Sequence, residues 1–179
     1  MLSAIALRDY AILCIGLSMG FRASDIVELR FKDIDWKNNS ISIVQKKTGK
    51  LLTMPMPIKT GNIIYSYLRN CRPKSKSPYI FIRHKAPYEK IKSGVCTNAL
   101  KRFINAPDNS NYGFHIVRKT FATQLLESNV NVELISDSLG HSTDSTVSKY
   151  LSLNEKRMHM CALSLLEANI PYKGGGFDA

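Results

Sequence analysis

The sequence predicts one mainly α-helical domain with a small antiparallel β-sheet, an α+β fold. Its 179 residues are the length of a single compact domain, and 44% hydrophobic with 22% charged residues is an ordinary globular composition. Apolar residues recur at helical spacing near the N-terminus and again through most of the chain beyond residue 93. Between these regions Ile41 and Ile43 follow the period of two that is typical of a strand.

The N-terminal half is predicted to contain helices and one hairpin. The first helix is expected over residues 3–19 and ends at Gly20, and Ser24 is expected to cap a second, short helix. Residues 40–57 predict two antiparallel strands around a basic turn, because turn-forming residues and prolines bound the run. Thr60 is expected to cap a third helix.

The C-terminal half is predicted to be helical after a short strand at residues 79–82. The expected helices cover residues 93–104, 114–128, 132–139, 143–153 and 155–168. No internal repeat and no long linker divides the chain. We therefore expect residues 1–170 to form a single domain, followed by a flexible tail at 171–179.

The charge is strongly basic and unevenly distributed. Lys and Arg number 25 against 14 Asp and Glu, a net charge of +11, and 19 of the basic residues lie within residues 1–110 beside only 7 of the acidic ones. A basic face of this kind most often binds a nucleic-acid backbone. The charge alone equally allows a basic protein with no such partner.

Several classes of protein are excluded by the sequence. The apolar run around residues 10–19 falls short of the roughly 20 residues of a membrane span, and the start of the chain lacks the basic region of a signal peptide. The cysteines form no CxxC or CxxH pair, so we expect no metal site, and reduced, buried thiols in a cytoplasmic protein; they are Cys14, Cys71, Cys96 and Cys161. No P-loop or GxGxxG is present, so no cofactor is expected.

Residues 132–151 have the pattern of a helix-turn-helix, with a short helix, a Gly turn, a Ser/Thr cap and a second short helix. Taken alone, this segment indicates a non-catalytic DNA-binding regulator. That interpretation gives no reason for the basic hairpin, nor for the placing of His115 and Arg118 one helical turn apart.

Five short segments are explained together by a different interpretation. They are Met19-Gly-Phe-Arg-Ala-Ser-Asp25, Lys46-Lys-Thr-Gly-Lys50, His115-Ile-Val-Arg-Lys-Thr-Phe-Ala122, Leu139-Gly-His141, and Tyr150 nine residues after that last His. In this order they resemble the catalytic domain of the tyrosine recombinases, the phage integrase family, over roughly residues 4–165. The family arranges its functional residues as Arg, Lys, His-x-x-Arg, His and Tyr, and the matching positions here are Arg22, Lys47, His115, Arg118, His141 and Tyr150.

These residue types suit the cleavage of a phosphodiester on chemical grounds alone. Tyr150 supplies a phenolic oxygen that can act as a nucleophile, and nearby cations favour its phenolate form. The guanidinium groups of Arg22 and Arg118 match phosphate oxygens in bidentate geometry. His115 and His141 can donate or accept hydrogen bonds near neutral pH.

Lys47, on the turn of the predicted hairpin, can protonate a leaving 5′-oxygen. Lys46 and Lys50 lie beside it in the sequence, and only the position directly before Thr48-Gly49 selects Lys47.

The resemblance implies a 3′-phosphotyrosyl intermediate on Tyr150, followed by attack of a 5′-hydroxyl from another strand, with no need for ATP or a metal. It implies a bacterial or phage-type enzyme with double-stranded DNA as its partner, and protomers of the same protein in a synaptic tetramer with possible exchange of the C-terminal helix. It also implies that Asp25 supports Arg22. Family members usually carry an N-terminal core-binding domain, which we expect to be absent from this chain.

Each candidate also has a purely structural interpretation. Tyr150 suits the buried face of an amphipathic helix, and His115 a helix cap or a core position. Arg22 could form an ion pair with Asp25 or Glu28 of its own helix. A type IB topoisomerase would share the same chemistry. Further candidates for contacts with DNA phosphates are Lys46, Arg72, Lys74, Arg102 and Lys119.

Overall fold

The computed structural model of the protein describes residues 3–105 and 112–139. The chain divides into two units, Met1–Ser142 and Thr143–Ala179, and all described residues belong to the first. The predicted helices at 143–153 and 155–168, the domain end at 170 and the tail at 171–179 lie outside the described residues, as does the second half of the predicted helix-turn-helix at 132–151.

The described residues form six α-helices and one three-stranded sheet. In chain order the elements are α1 (Ala4–Met19), α2 (Ala23–Glu28), a 3₁₀ helix (Phe31–Asp33), β1 (Ile34–Asp35), β2 (Ser40–Val44), β3 (Leu51–Pro55), α3 (Ile58–Asn70), α4 (Gly94–Phe103), α5 (His115–Glu127) and α6 (Val132–Leu139). The predicted mainly helical fold with a small antiparallel sheet is therefore the fold observed.

Helix α1 has the boundaries that its sequence predicts. It begins where the Ser3 hydroxyl accepts a hydrogen bond from the Ala6 amide at 3.2 Å. It ends at Gly20, whose φ of 66° is in the left-handed region and whose N–H donates to the Gly16 carbonyl at 3.0 Å.

The core of the described part is built around α1, which contacts α3, α4 and α5. Its residues Ile12, Ile15 and Met19 have no exposed surface. A helix enclosed on several sides needs apolar residues around most of its circumference, as this segment has. The loops at the ends of α1 are thereby held at fixed positions relative to three other helices.

The sheet has the order β1-β2-β3 and is antiparallel throughout. Strands β2 and β3 pair along their whole length, which confirms the predicted hairpin. Ile41 and Ile43 face the core, as their alternation predicts. Strand β1 was not predicted, because two residues are too few to show a pattern.

Two predicted helix caps are wrong. Arg22 is the N-cap residue of α2, and Ser24 lies inside the first turn of that helix. Helix α3 begins two residues before Thr60, whose buried hydroxyl lies 3.1 Å from the hydroxyl of Ser18 on α1. A contact between helices has taken the place of a local cap, and sequence spacing carries no information about such a contact.

The short strand predicted at residues 79–82 is also wrong. This segment forms only two isolated bridges, Arg30↔Tyr79 and Ile82↔Lys90. Ile80, Phe81 and Ile82 are fully buried, so their apolar pattern reflects burial rather than membership of the sheet. In the described part of the chain, no helix is both long and apolar enough to cross a membrane.

The expectation of buried thiols holds for one cysteine. Cys96 is buried, and burial raises the pKa of its thiol to about 12. Cys14 and Cys71 are half-buried free thiols. Cys161 lies outside the described residues.

Candidate active site

The turn between α1 and α2 presents Arg22. Gly20 ends α1 in the left-handed backbone region, and Arg22 follows two residues later as the N-cap of α2. A Cβ built at position 20 would lie 2.4 Å from Cδ1 of Phe121 on α5. Glycine is therefore required at this position both by the backbone and by the close packing of α5 against the turn.

Asp25 lies one helical turn after Arg22 and faces it. Nη1 of Arg22 is 3.9 Å from Oδ2 of Asp25, and the Asp25 side chain has no exposed surface while that of Arg22 is 18% exposed. Within residues 3–105 and 112–139, neither of these two atoms has a hydrogen-bond partner. The ion pair therefore places a negative charge beside Arg22 without occupying the N–H groups of Nη1.

Arg118 is buried against the turn that presents Arg22. Its Nη1 donates to the carbonyl of Gly20 at 2.7 Å, and its Nη2 donates to the carbonyl of Leu139. These two bonds fix the plane of a guanidinium that is only 7% exposed. The structure thus brings the first and the second predicted arginine to the same turn, although they are far apart in the sequence.

His115 is exposed at the N-terminus of α5, one helical turn before Arg118. Residues three apart lie on the same helix face, so both side chains project from one side of α5. The imidazole folds back over Gly113, where a Cβ would lie 2.7 Å from its Nδ1. Glycine at this position gives the ring the space it occupies.

The turn of the β2–β3 hairpin is attached to the same region. The backbone N–H of Lys46 donates to Oδ1 of Asp25 at 3.1 Å. Lys47, the next residue, is exposed. The predicted general acid is therefore carried by a turn that is hydrogen-bonded to the carboxylate beside Arg22.

The carbonyl of Leu139, at the end of α6, is shared by two side chains. It accepts from Arg118 and, at 3.4 Å, from Nε2 of Gln45. His141 follows two residues later and lies outside the described residues, as does Tyr150. The structure therefore brings together Arg22, Asp25, Arg118 and the turn that carries Lys47.

Sequence reasoning missed Gln45, which is fully buried. A signal was present: Gln45 continues the alternation of Ile41 and Ile43, so it is a polar residue at a position predicted to face inward. A buried amide requires hydrogen-bond partners, and such a position points to a specific interaction.

Glu28, on α2, forms ion pairs with two lysines next to this region. Its carboxylate accepts a hydrogen bond from Lys90, and Nζ of Lys46 lies 3.7 Å away. The bond from Lys90, and then the two ammonium charges, hold the pKa of Glu28 below its ordinary value. Glu28 was considered only as an alternative partner of Arg22, and the structure pairs it with two lysines instead.

The five predicted phosphate-contact residues fall into two groups. Lys46, Lys74 and Lys119 are exposed. Arg102 pairs with the buried carboxylate of Asp9. The contact of Arg102 with DNA stays a prediction, but the residue already has a structural role within the chain.

Arg72 has internal partners as well. Its guanidinium donates to the carbonyls of Ser77, Tyr79 and Ile80 at 2.9–3.1 Å and lies 5.0 Å from the centre of the Phe31 ring. These contacts hold the loop after α3 against the rest of the fold. The three exposed lysines are therefore better placed than Arg72 to reach an external phosphate.

The chemistry available at this site is the binding of an anion. The guanidinium groups of Arg22 and Arg118 are hydrogen-bond donors that match the oxygens of a phosphate. Among the residues that the structure describes, no three His, Cys, Asp or Glu side chains are grouped to hold a metal ion.

Comparisons with known proteins identify relatives over most of the chain. Residues 2–157 match the phage integrase family. The chain is 32% identical over 160 residues to the putative integrase/recombinase y4gC of Sinorhizobium fredii. This alignment covers 89% of the chain and 83% of y4gC. It is 28% identical over 153 residues to the tyrosine recombinase XerA of Pyrococcus furiosus. That alignment covers 85% of the chain and 52% of XerA. It thus spans most of the first relative and about half of the second.

A solved structure shares the fold. The XerH site-specific recombinase, in a post-cleavage complex with a palindromic difH substrate, superposes with a TM-score of 0.73 and 22% identity, over 90% of this chain and 47% of that one. This likeness confirms the fold class predicted from the sequence.

Proposed function

Because the chain belongs to the phage integrase family of tyrosine recombinases, we propose that it cleaves and rejoins DNA strands at specific sites. The reaction proceeds through a covalent bond between Tyr150 and a 3′-phosphate of the DNA. It uses neither a metal nor ATP, since the arginines supply the positive charge and the phosphotyrosyl bond retains the energy of the broken phosphodiester.

One observation carries this proposal. Arg118 donates a hydrogen bond to the carbonyl of Gly20, two residues before Arg22, and this contact supports a common site for the two arginines. A regulator that only binds DNA gives no reason to bury an arginine in this way. A phosphate undergoing substitution needs cations at its non-bridging oxygens, where negative charge develops.

Each residue has a role in the proposed reaction. The phenolic oxygen of Tyr150 attacks phosphorus, a new P–O bond forms, and the bond to the 5′-oxygen breaks. Arg22 and Arg118 bind the non-bridging oxygens, and His115 and His141 donate hydrogen bonds to the same phosphate. Lys47 gives its proton to the leaving 5′-oxygen.

Rejoining is the reverse reaction with a different strand. A 5′-hydroxyl attacks the phosphotyrosine, its proton returns to Lys47, and the tyrosine leaves. We infer that the partner is double-stranded DNA, that copies of the chain act as a synaptic tetramer, and that exchange of the C-terminal helix contributes to assembly. A DNA-acting enzyme of this kind works in the cytoplasm.

The supporting residues have separate roles. Asp25 balances the charge of Arg22 and, through the Lys46 amide, holds the hairpin turn beside it. The exposed side chains of Lys46, Lys74 and Lys119 contact phosphates that flank the cleaved bond.

Covalent capture of DNA tests this function. The full chain is incubated with a library of nicked duplexes whose arms are randomised, so that cleavage releases a short fragment and traps the enzyme on the DNA. Protein is then denatured, and the attached DNA is amplified and sequenced. We expect recovery of one enriched sequence with the wild type and none with Tyr150→Phe. Enrichment of bound DNA without any covalent adduct would instead support a binding-only regulator.

A further inference from the structure

Gln45 follows β2 and opens the turn that carries Lys47. Its side chain has no exposed surface. An amide so deeply buried is costly unless both its donor and its acceptor are hydrogen-bonded, so its partners indicate what the residue holds.

Both ends of this amide have partners. Nε2 donates to the Leu139 carbonyl at 3.4 Å, and Oε1 accepts from the hydroxyl of Thr48 at 2.8 Å. A carbonyl oxygen can only accept, so the amide nitrogen has to face Leu139 and the amide oxygen is left for Thr48. The chemistry of the partners therefore fixes the orientation of the side chain.

The backbone of Gln45 closes the turn. Its carbonyl accepts from the Gly49 amide at 2.8 Å, and its amide donates to the Lys50 carbonyl at 2.9 Å. Lys47 thus lies in a short loop whose two ends are both bonded to Gln45. Any displacement of Gln45 would displace Lys47 with it.

The turn is attached at two points, and each lies next to a different arginine. The Lys46 amide bonds to Asp25, which faces Arg22. The side chain of Gln45 bonds to the Leu139 carbonyl, which also accepts from Arg118.

We propose that Gln45 is a positioning residue that holds Lys47 at the leaving oxygen by tying its turn to the Leu139 carbonyl that Arg118 also binds. This inference rests on the proposed function. It adds a link between the general acid and the arginine that binds the phosphate. The turn that carries the general acid is then held at the same carbonyl that accepts from the arginine.

A substrate with an altered leaving group separates this role from a general structural one. When sulfur replaces the bridging 5′-oxygen, the leaving group is a thiolate, which is a far weaker base than an alkoxide and leaves without a proton. A defect that acts through Lys47 is therefore repaired by sulfur. A defect in phosphate binding or in folding is not.

The experiment uses the duplex recovered by covalent capture, with either oxygen or sulfur as the bridging 5′ atom of the cleaved phosphate. It measures the rate at which the covalent adduct forms. We expect the Gln45→Met substitution to slow cleavage of the oxygen duplex by about 10-fold or more. The same variant should cleave the sulfur duplex at nearly the wild-type rate. We also expect Gln45→Met to add nothing to the defect of Lys47→Ala, because both act on one step. Ser42→Ala is the matched control, since it removes a hydrogen bond with Thr53 elsewhere in the same hairpin.

Thr48→Val is a second variant that leaves the buried amide in place, and we expect a smaller defect that sulfur also repairs. The inference is overturned if the Gln45 and Thr48 variants cleave the oxygen duplex at the wild-type rate, or if sulfur leaves their defects unchanged. If the wild type itself forms no adduct, the proposed function fails, and the inference fails with it. If the wild type forms the adduct and the variants cleave at the wild-type rate, the inference is overturned and the proposed function stands.

Discussion

Nη1 of Arg118 donates a hydrogen bond of 2.7 Å to the carbonyl oxygen of Gly20, a residue 98 positions earlier in the chain. The bond joins α5 to the end of α1, and the turn that it holds leads directly to Arg22. The position of Arg118 relative to the turn of Arg22 is thus fixed by the backbone carbonyl oxygen of Gly20.

Replacing Arg118 by lysine tests this relationship. An ammonium group keeps the charge but cannot donate in the plane of a fork to both Gly20 and Leu139. We expect Arg118→Lys to lower the cleavage rate on the order of 100-fold, as for the loss of a donor to a developing negative charge. Unfolding in urea should show a loss of about 1–3 kcal/mol, because a buried carbonyl loses its partner.

Lys119→Gln is the control for Arg118→Lys, since it removes a positive charge from the exposed neighbouring position. Its free energy of unfolding should stay within about 0.5 kcal/mol of the wild type. An Arg118→Lys protein that cleaves DNA at the wild-type rate would contradict the assigned role.

Gly20→Ala tests the packing of the turn against α5. At position 20 alanine has to adopt a φ of +66° and also places its Cβ 2.4 Å from Phe121. Gly49→Ala is a matched control, because φ there is +69° and nothing lies within 4 Å of the added Cβ.

The control should lose about 1 kcal/mol of unfolding free energy from backbone strain alone. Gly20→Ala should lose a further 1–3 kcal/mol or so from overpacking, measured by urea unfolding of both variants. Equal losses in the two variants would show that α5 does not press on this turn.

The salt dependence of DNA binding separates external from internal arginines and lysines. Lys74→Gln should lower the slope of log affinity against log salt by about 0.9 with no change in unfolding, as expected when one phosphate contact is lost. Arg72→Gln should instead destabilise the fold by about 1–3 kcal/mol, because it removes hydrogen bonds from several partly buried carbonyls. The reverse pattern would mean that Arg72 is the residue that contacts DNA.

The pH dependence of stability reports on Glu28. The hydrogen bond from Lys90 lowers the pKa of its carboxyl in the folded state, so the charged form stabilises the protein above the ordinary pKa of a glutamate. That stabilisation is lost as the pH falls through the lowered pKa. We expect the unfolding free energy of the wild type to exceed that of Glu28→Gln by about 0.5–1 kcal/mol at pH 7, since the group is partly exposed. We expect this difference to disappear as the pH falls from the ordinary pKa of a glutamate through the lowered one.

Glu89→Gln serves as the comparison, because Glu89 is exposed and lies 3.9 Å from Arg83. Unfolding free energies of all three proteins across the acid range provide the measurement. A difference between wild type and Glu28→Gln that stays constant with pH would contradict the assigned ion pair.

The sequence alone predicts the fold class, the hairpin and the family, because each depends on local patterns or on ordered motifs. Helix α1 could be predicted at both ends, since Ser3 and Gly20 are themselves the capping residues. The caps at Ser24 and Thr60 could not, because neighbouring elements decide where those helices begin.

The candidate site could be predicted as a set of residues but not as a set of contacts. The motifs select Arg22, Lys47 and Arg118, but the contacts that fix Arg118 are made to the backbone carbonyls of Gly20 and Leu139. A backbone carbonyl leaves no trace in the residue type, so no motif reveals it. The pairing of Glu28 with Lys90 likewise joins residues that are distant in the sequence.

Mass spectrometry of the covalent adduct tests the central claim most directly. DNA captured by the wild-type chain is trimmed with nuclease, the protein is digested with trypsin, and the peptide after Lys149 is analysed for an attached nucleotide. The account predicts a nucleotide linked through its 3′-phosphate to the phenolic oxygen of Tyr150. An adduct on another residue, or an unmodified Tyr150 peptide in protein that has cleaved DNA, would contradict it.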